Sequence, residues 1–267
     1  LFRSFVEVAA GPYHAVARRQ DGSVACWGNN YAGQCNAPTD QFRQVSAGGF
    51  DSYGHTVGIR MDGSIAVWGF DNYGQVSARP TGSFRRIADG PYHDLAIDAA
   101  GMVVGWGANN NNQTSVPPGM RCNDIAAGGY TDYGFSVALK SDGSLACWGV
   151  SGWNIRSVPS GQFIAVRAGT SFGVALTASG RVKVWGDNPY SVYASAEGVF
   201  DSISARGYLV GGVSPDCNST GIADYIETNN TPAIDRNADK RIDTCQGLRD
   251  INLTSPNLGS QIGRAHV

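Results

Sequence analysis

The sequence predicts an all-β protein built from short repeated units. Three observations carry this. Glycine is abundant, with 36 in 267 residues, and charged residues make up only 16%. That composition suits tight turns between short strands better than long solvated helices. The dipeptide Trp-Gly recurs at Trp27, Trp68, Trp106, Trp148 and Trp185, in steps of 41, 38, 42 and 37 residues. Apolar residues alternate at period two on the approach to each Trp, as strands require.

Each unit can be justified in order. It opens with a bulky residue and, three positions on, an apolar one: Phe5/Val8, Phe42/Val45, Phe84/Ile87, Cys122/Ile125 and Phe163/Val166. A small residue and a glycine usually follow, as in Ala10-Gly11 and Ala127-Gly128. A second strand carries the apolar column Val16, Val57, Leu95, Val137 and Val174, and the next position is always small: Ala17, Gly58, Ala96, Ala138 and Ala175. That small column is expected where sheets converge on a common axis. The turn glycines Gly22, Gly63, Gly101, Gly143 and Gly180 precede each Trp by five residues. Three of them belong to Asp-Gly, a strong hairpin signal. A third strand then leads into the Trp, which is expected to supply apolar contact between neighbouring units. Units of three or four strands at this period, none able to bury both faces alone, predict a β-propeller. Five full blades and the start of a sixth, at Phe200/Ile203, are present. The spacing from loop glycine to turn glycine runs 11, 15, 11, 15 and 11, so alternate blades present long and short loops on one rim.

The pattern Ala10-Gly11, His14, Asp21-Gly22, Trp27-Gly28, Asn30 and Gly33-Gln34, with Ala47-Gly48, His55, Asp62-Gly63, Trp68-Gly69 and Gly74-Gln75 in the second unit, resembles the RCC1 repeat. The resemblance covers residues 5–199. The short units are more similar to bacterial members, including the secreted β-lactamase-inhibitor type, than to the eukaryotic exchange factor. It implies a propeller of about seven blades, and therefore a protein truncated at its N-terminus. The first residue is Leu1, and residues 262–267, Ile-Gly-Arg-Ala-His-Val, resemble a translated sequencing adapter, so a scar is expected there.

The character changes after Val213. Asp216, Asn218, Thr220, Ile222, Asp224 and Glu227 fall at positions 1, 3, 5, 7, 9 and 12 of a calcium loop, with Gly221 at position 6. Alternating oxygens converge on the ion, Gly permits the sharp turn, and the terminal Glu binds bidentately. Ile222 contributes its carbonyl. A second copy offers Asp235, Asn237, Asp239 and Asp243, but Lys240 replaces the glycine and Gln246 the glutamate. Both copies resemble thrombospondin type 3 and dockerin-like loops. Calcium is the expected cofactor, and no organic cofactor is implied. The expected layout is a propeller over residues 1–213, the paired loops over 214–247, a tail or linker over 248–261, and the scar.

The six cysteines form no CxxC pair, and an oxidising compartment fits their even number. Cys217 and Cys245 lie at matching ends of the two calcium loops and are paired as a disulfide candidate. Cys26 and Cys147 occupy equivalent third-strand positions. Cys35 and Cys122 are possible partners within blades 1 and 4, but sequence does not settle the connectivity.

His14, His55 and His93 imitate a three-histidine metal site, yet Phe135 and Phe172 fill the same column. A position that accepts Phe is a packing position, so each His is expected to hydrogen-bond its own blade. The better binding candidates are rim residues in the loops entering the second strand: Tyr13, Phe50, Asp51, Tyr53, Tyr92, Tyr130, Asp132, Tyr133 and Phe172. Aromatic rings beside small polar groups suit protein or carbohydrate recognition.

The net charge of −2 without a basic run argues against nucleic acid, and no stretch is apolar enough to span a bilayer. No GxSxG, P-loop or HExxH occurs. The expected function is a non-catalytic, secreted or cell-surface bacterial scaffold that binds a protein or glycan through its rim, with a calcium-stabilised C-terminal spacer or anchor. The alternatives are a propeller enzyme with a central active site and a regulator of a small GTPase. Fold alone does not choose among them.

Overall fold

The computed structural model describes residues 4–187 and 199–215 and the strand 249–254, the last as backbone. The calcium-loop residues, Cys217, Cys245 and residues 262–267 lie outside the described residues. Among the described residues the fold is all-β, with one short 3-10 turn at Gly152–Asn154.

Six three-stranded antiparallel sheets follow one another along the sequence. Blade 1 is β1 (Phe5–Ala10), β2 (His14–Arg19) and β3 (Val24–Gly28). Blade 2 is β4 (Phe42–Phe50), β5 (Tyr53–Arg60) and β6 (Ile65–Gly69). Blade 3 is β7 (Phe84–Asp89), β8 (His93–Asp98) and β9 (Val103–Gly107). Blade 4 is β10 (Cys122–Tyr130), β11 (Tyr133–Lys140) and β12 (Leu145–Gly149). Blade 5 is β13 (Ala165–Ala168), β14 (Phe172–Leu176) and β15 (Val182–Gly186). Blade 6 is β16 (Ser202–Arg206), β17 (Leu209–Pro215) and β18 (Arg249–Thr254). The third strand of blade 6 thus comes from within the stretch that the sequence suggests is a tail or linker.

Each hairpin closes on local chemistry. In blade 1, Gly22 adopts φ +82°, and Asp21 Oδ1 accepts the Ser23 backbone N–H at 2.9 Å. An Asx-type bond of this kind fixes the turn before any tertiary contact forms. Blades 2 and 4 repeat it with Asp62–Ser64 and Asp142–Ser144.

The core lies between blades, in five clusters, one at each junction of consecutive blades. The Trp column fills the four junctions from blade 1 to blade 5, with Trp68, Trp106, Trp148 and Trp185. Trp106 packs with Val57, Ile59 and Val67 of the preceding blade, and its Nε1 donates to the Gln75 carbonyl at 2.8 Å. Trp185 repeats this with the Ile155 carbonyl. Trp68, Trp106, Trp148 and Trp185 are at most 8% exposed, whereas Trp27, in the first blade, is 49% exposed.

The small column has a different cause from the one expected. It does not face the axis. A Cβ on Gly58 would stand 2.5 Å from the Phe42 ring, and one on Gly212 would stand 2.5 Å from Phe200. The small residue makes room for the bulky residue that opens its own blade, and the first strands line the axis instead.

Cys26 and Cys35 form a disulfide within blade 1. Cys122 and Cys147 are free thiols. They sit in different junction clusters on opposite faces of blade 4, which is why they do not pair. Burial pushes both thiols up, to about 11 and about 12.

Candidate functional site: an aromatic mouth on the axis

The alternation of loop lengths becomes an alternation of hairpin heights. In blades 2 and 4 the first two strands run on past the rim and pair to Phe50↔Tyr53 and Tyr130↔Tyr133. Two-residue tips close them, with Asp51 and Thr131 at φ +50° and +47°. Two tall hairpins flank the short loop of blade 3. Their tips meet above it, Phe50 edge-on to Tyr130 at a ring separation of 4.6 Å. Backbone bonds tie neighbouring loops together: Gly49 N–H donates to Gly90 O, Gly129 to Gly169 O, and Thr170 to Gly207 O.

The result is a cavity of about 590 Å³ to which all six blades contribute, including Tyr13, Phe50, Asp51, Tyr130, Arg206 and Tyr208. A second cavity of about 420 Å³, lined by first-strand residues of every blade, opens on the other side. Both are lined by Ala127, Ala168 and Arg206, so they are two ends of one axial channel.

Of the rim residues read from sequence, Tyr13, Phe50, Asp51 and Tyr130 line the mouth. Tyr53 joins a series of rings, Tyr31–Tyr53–Phe70, which continues to Tyr73 and Tyr92. Tyr73 and Tyr92 stack at 4.8 Å. Tyr92 is buried there, and burial with neighbouring Tyr73 and acidic groups pushes its phenol up to about 12. Asp132 reaches this series by a side-chain hydrogen bond with Tyr73, whose pKa rises in consequence. Tyr133 stands apart against Trp153. Phe172 is a correction: at 1% exposure it belongs to the junction of blades 5 and 6, not to the rim. Its column faces inward in every blade where it is His or Phe.

The histidine column also differs from expectation. Each His reaches the next blade, not its own. His14 Nε2 bonds Thr56 Oγ1 at 3.0 Å, His55 Nε2 bonds Asp94 Oδ1 at 2.8 Å, and His93 Nε2 bonds Ser136 Oγ at 3.1 Å. Thr56 and Ser136 donate onward to the Gln34 and Gln113 carbonyls, so their oxygens accept from His14 and His93. The described residues hold no cluster of three metal-ligating side chains.

Burial lowers His14 to about 4 and His93 to about 3. Both are neutral in the fold, whereas an unfolded His titrates near 6.5. Below pH 6.5 the unfolded state gains protons that the folded state refuses. Their stability contribution is therefore whole above pH 6.5. It falls by about 1.4 kcal/mol per pH unit per histidine until the folded pKa is reached. Replacing both with Phe, the residue of blades 4 and 5, is expected to flatten this acid limb. Urea melts at pH 7.5, 5.5 and 4.5 check it; equal acid loss in wild type and variant would refute it.

A sequence profile described as the Regulator of chromosome condensation (RCC1) repeat matches residues 5–34 and 163–191. No curated protein was found to match by sequence. Among solved structures, the receptor kinase CR4 ectodomain of the moss Physcomitrella patens is 22% identical with TM-score 0.65. The match covers 78% of this protein and 58% of that one, so the sequence spans somewhat over half of that relative. The ACR4 ectodomain of Arabidopsis thaliana is 21% identical with TM-score 0.61, covering 78% and 76%. Prp20p of Saccharomyces cerevisiae, studied for its binding to Gsp1p and histones, is 17% identical with TM-score 0.64, covering 76% and 67%. Blade architecture and structural neighbours agree that the fold is a β-propeller, and two of its blades match the RCC1 repeat.

Proposed function

We propose that this protein is a non-catalytic binding scaffold whose axial mouth receives a protruding segment of a protein partner. One observation carries the reading: loops from six blades, two of them raised as hairpins, converge on an aromatic-lined cavity of about 590 Å³. Tyr and Phe on rigid supports supply contact area at low entropic cost. Structural relatives that are receptor ectodomains, and one that binds Gsp1p and histones, support a protein partner over a substrate. The Cys26–Cys35 disulfide supports an extracytoplasmic setting, and the short repeats support a bacterial source.

Peptides selected from a random library against the whole protein test this. Tyr13→Ala and Tyr130→Ala are each expected to weaken selected peptides by about tenfold or more, as central aromatic contacts do. Peptides that bind both variants as tightly as wild type would overturn the reading. Glycans that bind through the same tyrosines would favour the carbohydrate alternative.

The C-terminal loops are proposed to bind calcium and stiffen a spacer or anchor, on the strength of their ligand spacing. Calorimetry on the whole protein is expected to show calcium uptake that Asp216→Ala reduces. No heat at millimolar calcium would remove the claim.

A further inference from the structure

The repeats keep two positions small at the end of the first strand. The first holds Ala10, Ala47, Ala127, Ala168 and Ala205; the second holds Gly11, Gly48, Gly90, Gly128 and Gly169. Each column has one exception. Blade 3 places Asp89 among the alanines, and blade 6 places Arg206 among the glycines. The glycine column is small for a reason: a Cβ on Gly48 or Gly90 would stand 2.5 Å and 2.7 Å from the His55 and His93 rings. Blade 6 has Leu209 opposite Arg206, and Leu209 is largely exposed, so that constraint is lifted there.

The two exceptions meet across the axis, 117 residues apart. Arg206 Nη1 donates to Asp89 Oδ2 at 2.9 Å. Ser46 Oγ donates to the other carboxylate oxygen. Arg206 lines both cavities and Asp89 the second, and the pair is lopsided: the Asp89 side chain is 5% exposed and that of Arg206 is 32% exposed. Among the described residues, both hydrogen bonds of the guanidinium use Nη1. Among the described residues, Nε and Nη2 have no protein partner. A guanidinium presents its donors as a planar fork that fits a carboxylate bidentately. Arg206 is the one cation among the described residues lining the mouth, and the carboxylate of Asp51 lines the same cavity.

We infer that the mouth is a carboxylate-reading site: Arg206 takes a single carboxylate at its floor while the aromatic walls hold the apolar group that carries it. The inference rests on the mouth being the binding surface and adds the chemical class of what enters. Asp51 disfavours polyanions such as phosphate, so a peptide carboxylate is the occupant that fits. It can be the C-terminal carboxylate of a peptide or the carboxylate of an Asp or Glu within one.

Two probe pairs separate these sources and need no variant. N-acetyl-phenylalanine is compared with its amide, and N-acetyl-Phe-Glu-amide with N-acetyl-Phe-Gln-amide, by ligand-observed NMR on the whole protein. In at least one pair the carboxylate is expected to bind about tenfold more tightly, as charge-assisted bidentate pairing implies. Arg206→Gln is expected to erase that preference. Asp89→Asn, which releases Arg206 from its neutralising partner, is expected to increase it. Equal binding of carboxylate and amide in both pairs, no carboxylate binding at millimolar concentration, or a preference that survives Arg206→Gln each overturns the inference. Should selected peptides depend on Tyr13 and Tyr130 without any carboxylate preference, the inference fails and the mouth reading stands. If they ignore both tyrosines, the mouth reading itself has failed.

Discussion

Replacing His55 with Ala is expected to destabilise the protein by about 3–5 kcal/mol, the range for stranding one member of a buried ion pair. His55 and Asp94 bond at 2.8 Å with both side chains 0% exposed. Burial opposes charge on each. For His55 the attraction and hydrogen bond of Asp94 outweigh it and raise the pKa, while for Asp94 burial prevails and raises the carboxyl. Without His55, Asp94 has no counter-charge at 2.8 Å and must either stay charged in an apolar junction or take up a proton. Its second oxygen already lacks a partner among the described residues. The neighbouring blades show the remedy. Asp94→Ser copies the His93–Ser136 arrangement and is expected to cost about 1 kcal/mol, a neutral hydrogen bond's worth. His55→Phe alone is expected to fare badly, although Phe fills the column in blades 4 and 5. Adding Asp94→Ser should recover most of the loss. Thermal melts check the cycle, with a drop of roughly 10 °C for His55→Ala. Additive single and double variants would show that the pair is not coupled.

Trp106→Ala is expected to cost about 3–5 kcal/mol, and Trp27→Ala less than about 1 kcal/mol. The two residues occupy the same column of the same repeat, so local propensity cannot separate them. What differs is the neighbour. Trp106 closes the junction with blade 2 and donates to Gln75 O. Trp27 belongs to none of the buried clusters of the described residues, and its exposed indole lies beside the equally exposed Phe5. Urea denaturation of the two variants measures the contrast. Equal losses would mean that the Trp column stabilises its own blade and not the junction.

Much of this fold is legible because a repeat writes the same local instructions several times. The Trp column, the Asp-Gly turns and the alternation of strand positions are each encoded within about 25 residues, and each is found where the sequence puts it. Contacts one repeat away are harder to read. The histidine column signals packing, but that His14 seeks Thr56 and not its own blade depends on how blades stack. Contacts two or more repeats away are invisible as contacts: Phe50 with Tyr130, Tyr73 with Asp132, and Asp89 with Arg206. The last pair does leave a trace, because each residue breaks a column that is otherwise small. Phe172 misleads because its neighbours in sequence are rim residues, while its own column turns inward. Phe70 and Tyr73 give no local signal because they lie after the third strand of blade 2, outside the loops entering a second strand, and only the folded rim gathers them. Tyr208 does lie in such a loop, directly before β17, but blade 6 lacks the Trp-Gly pair that sets the register in the other blades.

The most direct test is the hydrogen-exchange footprint of a selected peptide on the whole protein. Protection is expected at residues 11–14, 48–54, 128–134 and 206–209, the loops that converge on the axis. Protection confined to the third strands β3, β6, β9 and β12, with the mouth exchanging at its free rate, would contradict a binding site on the axis.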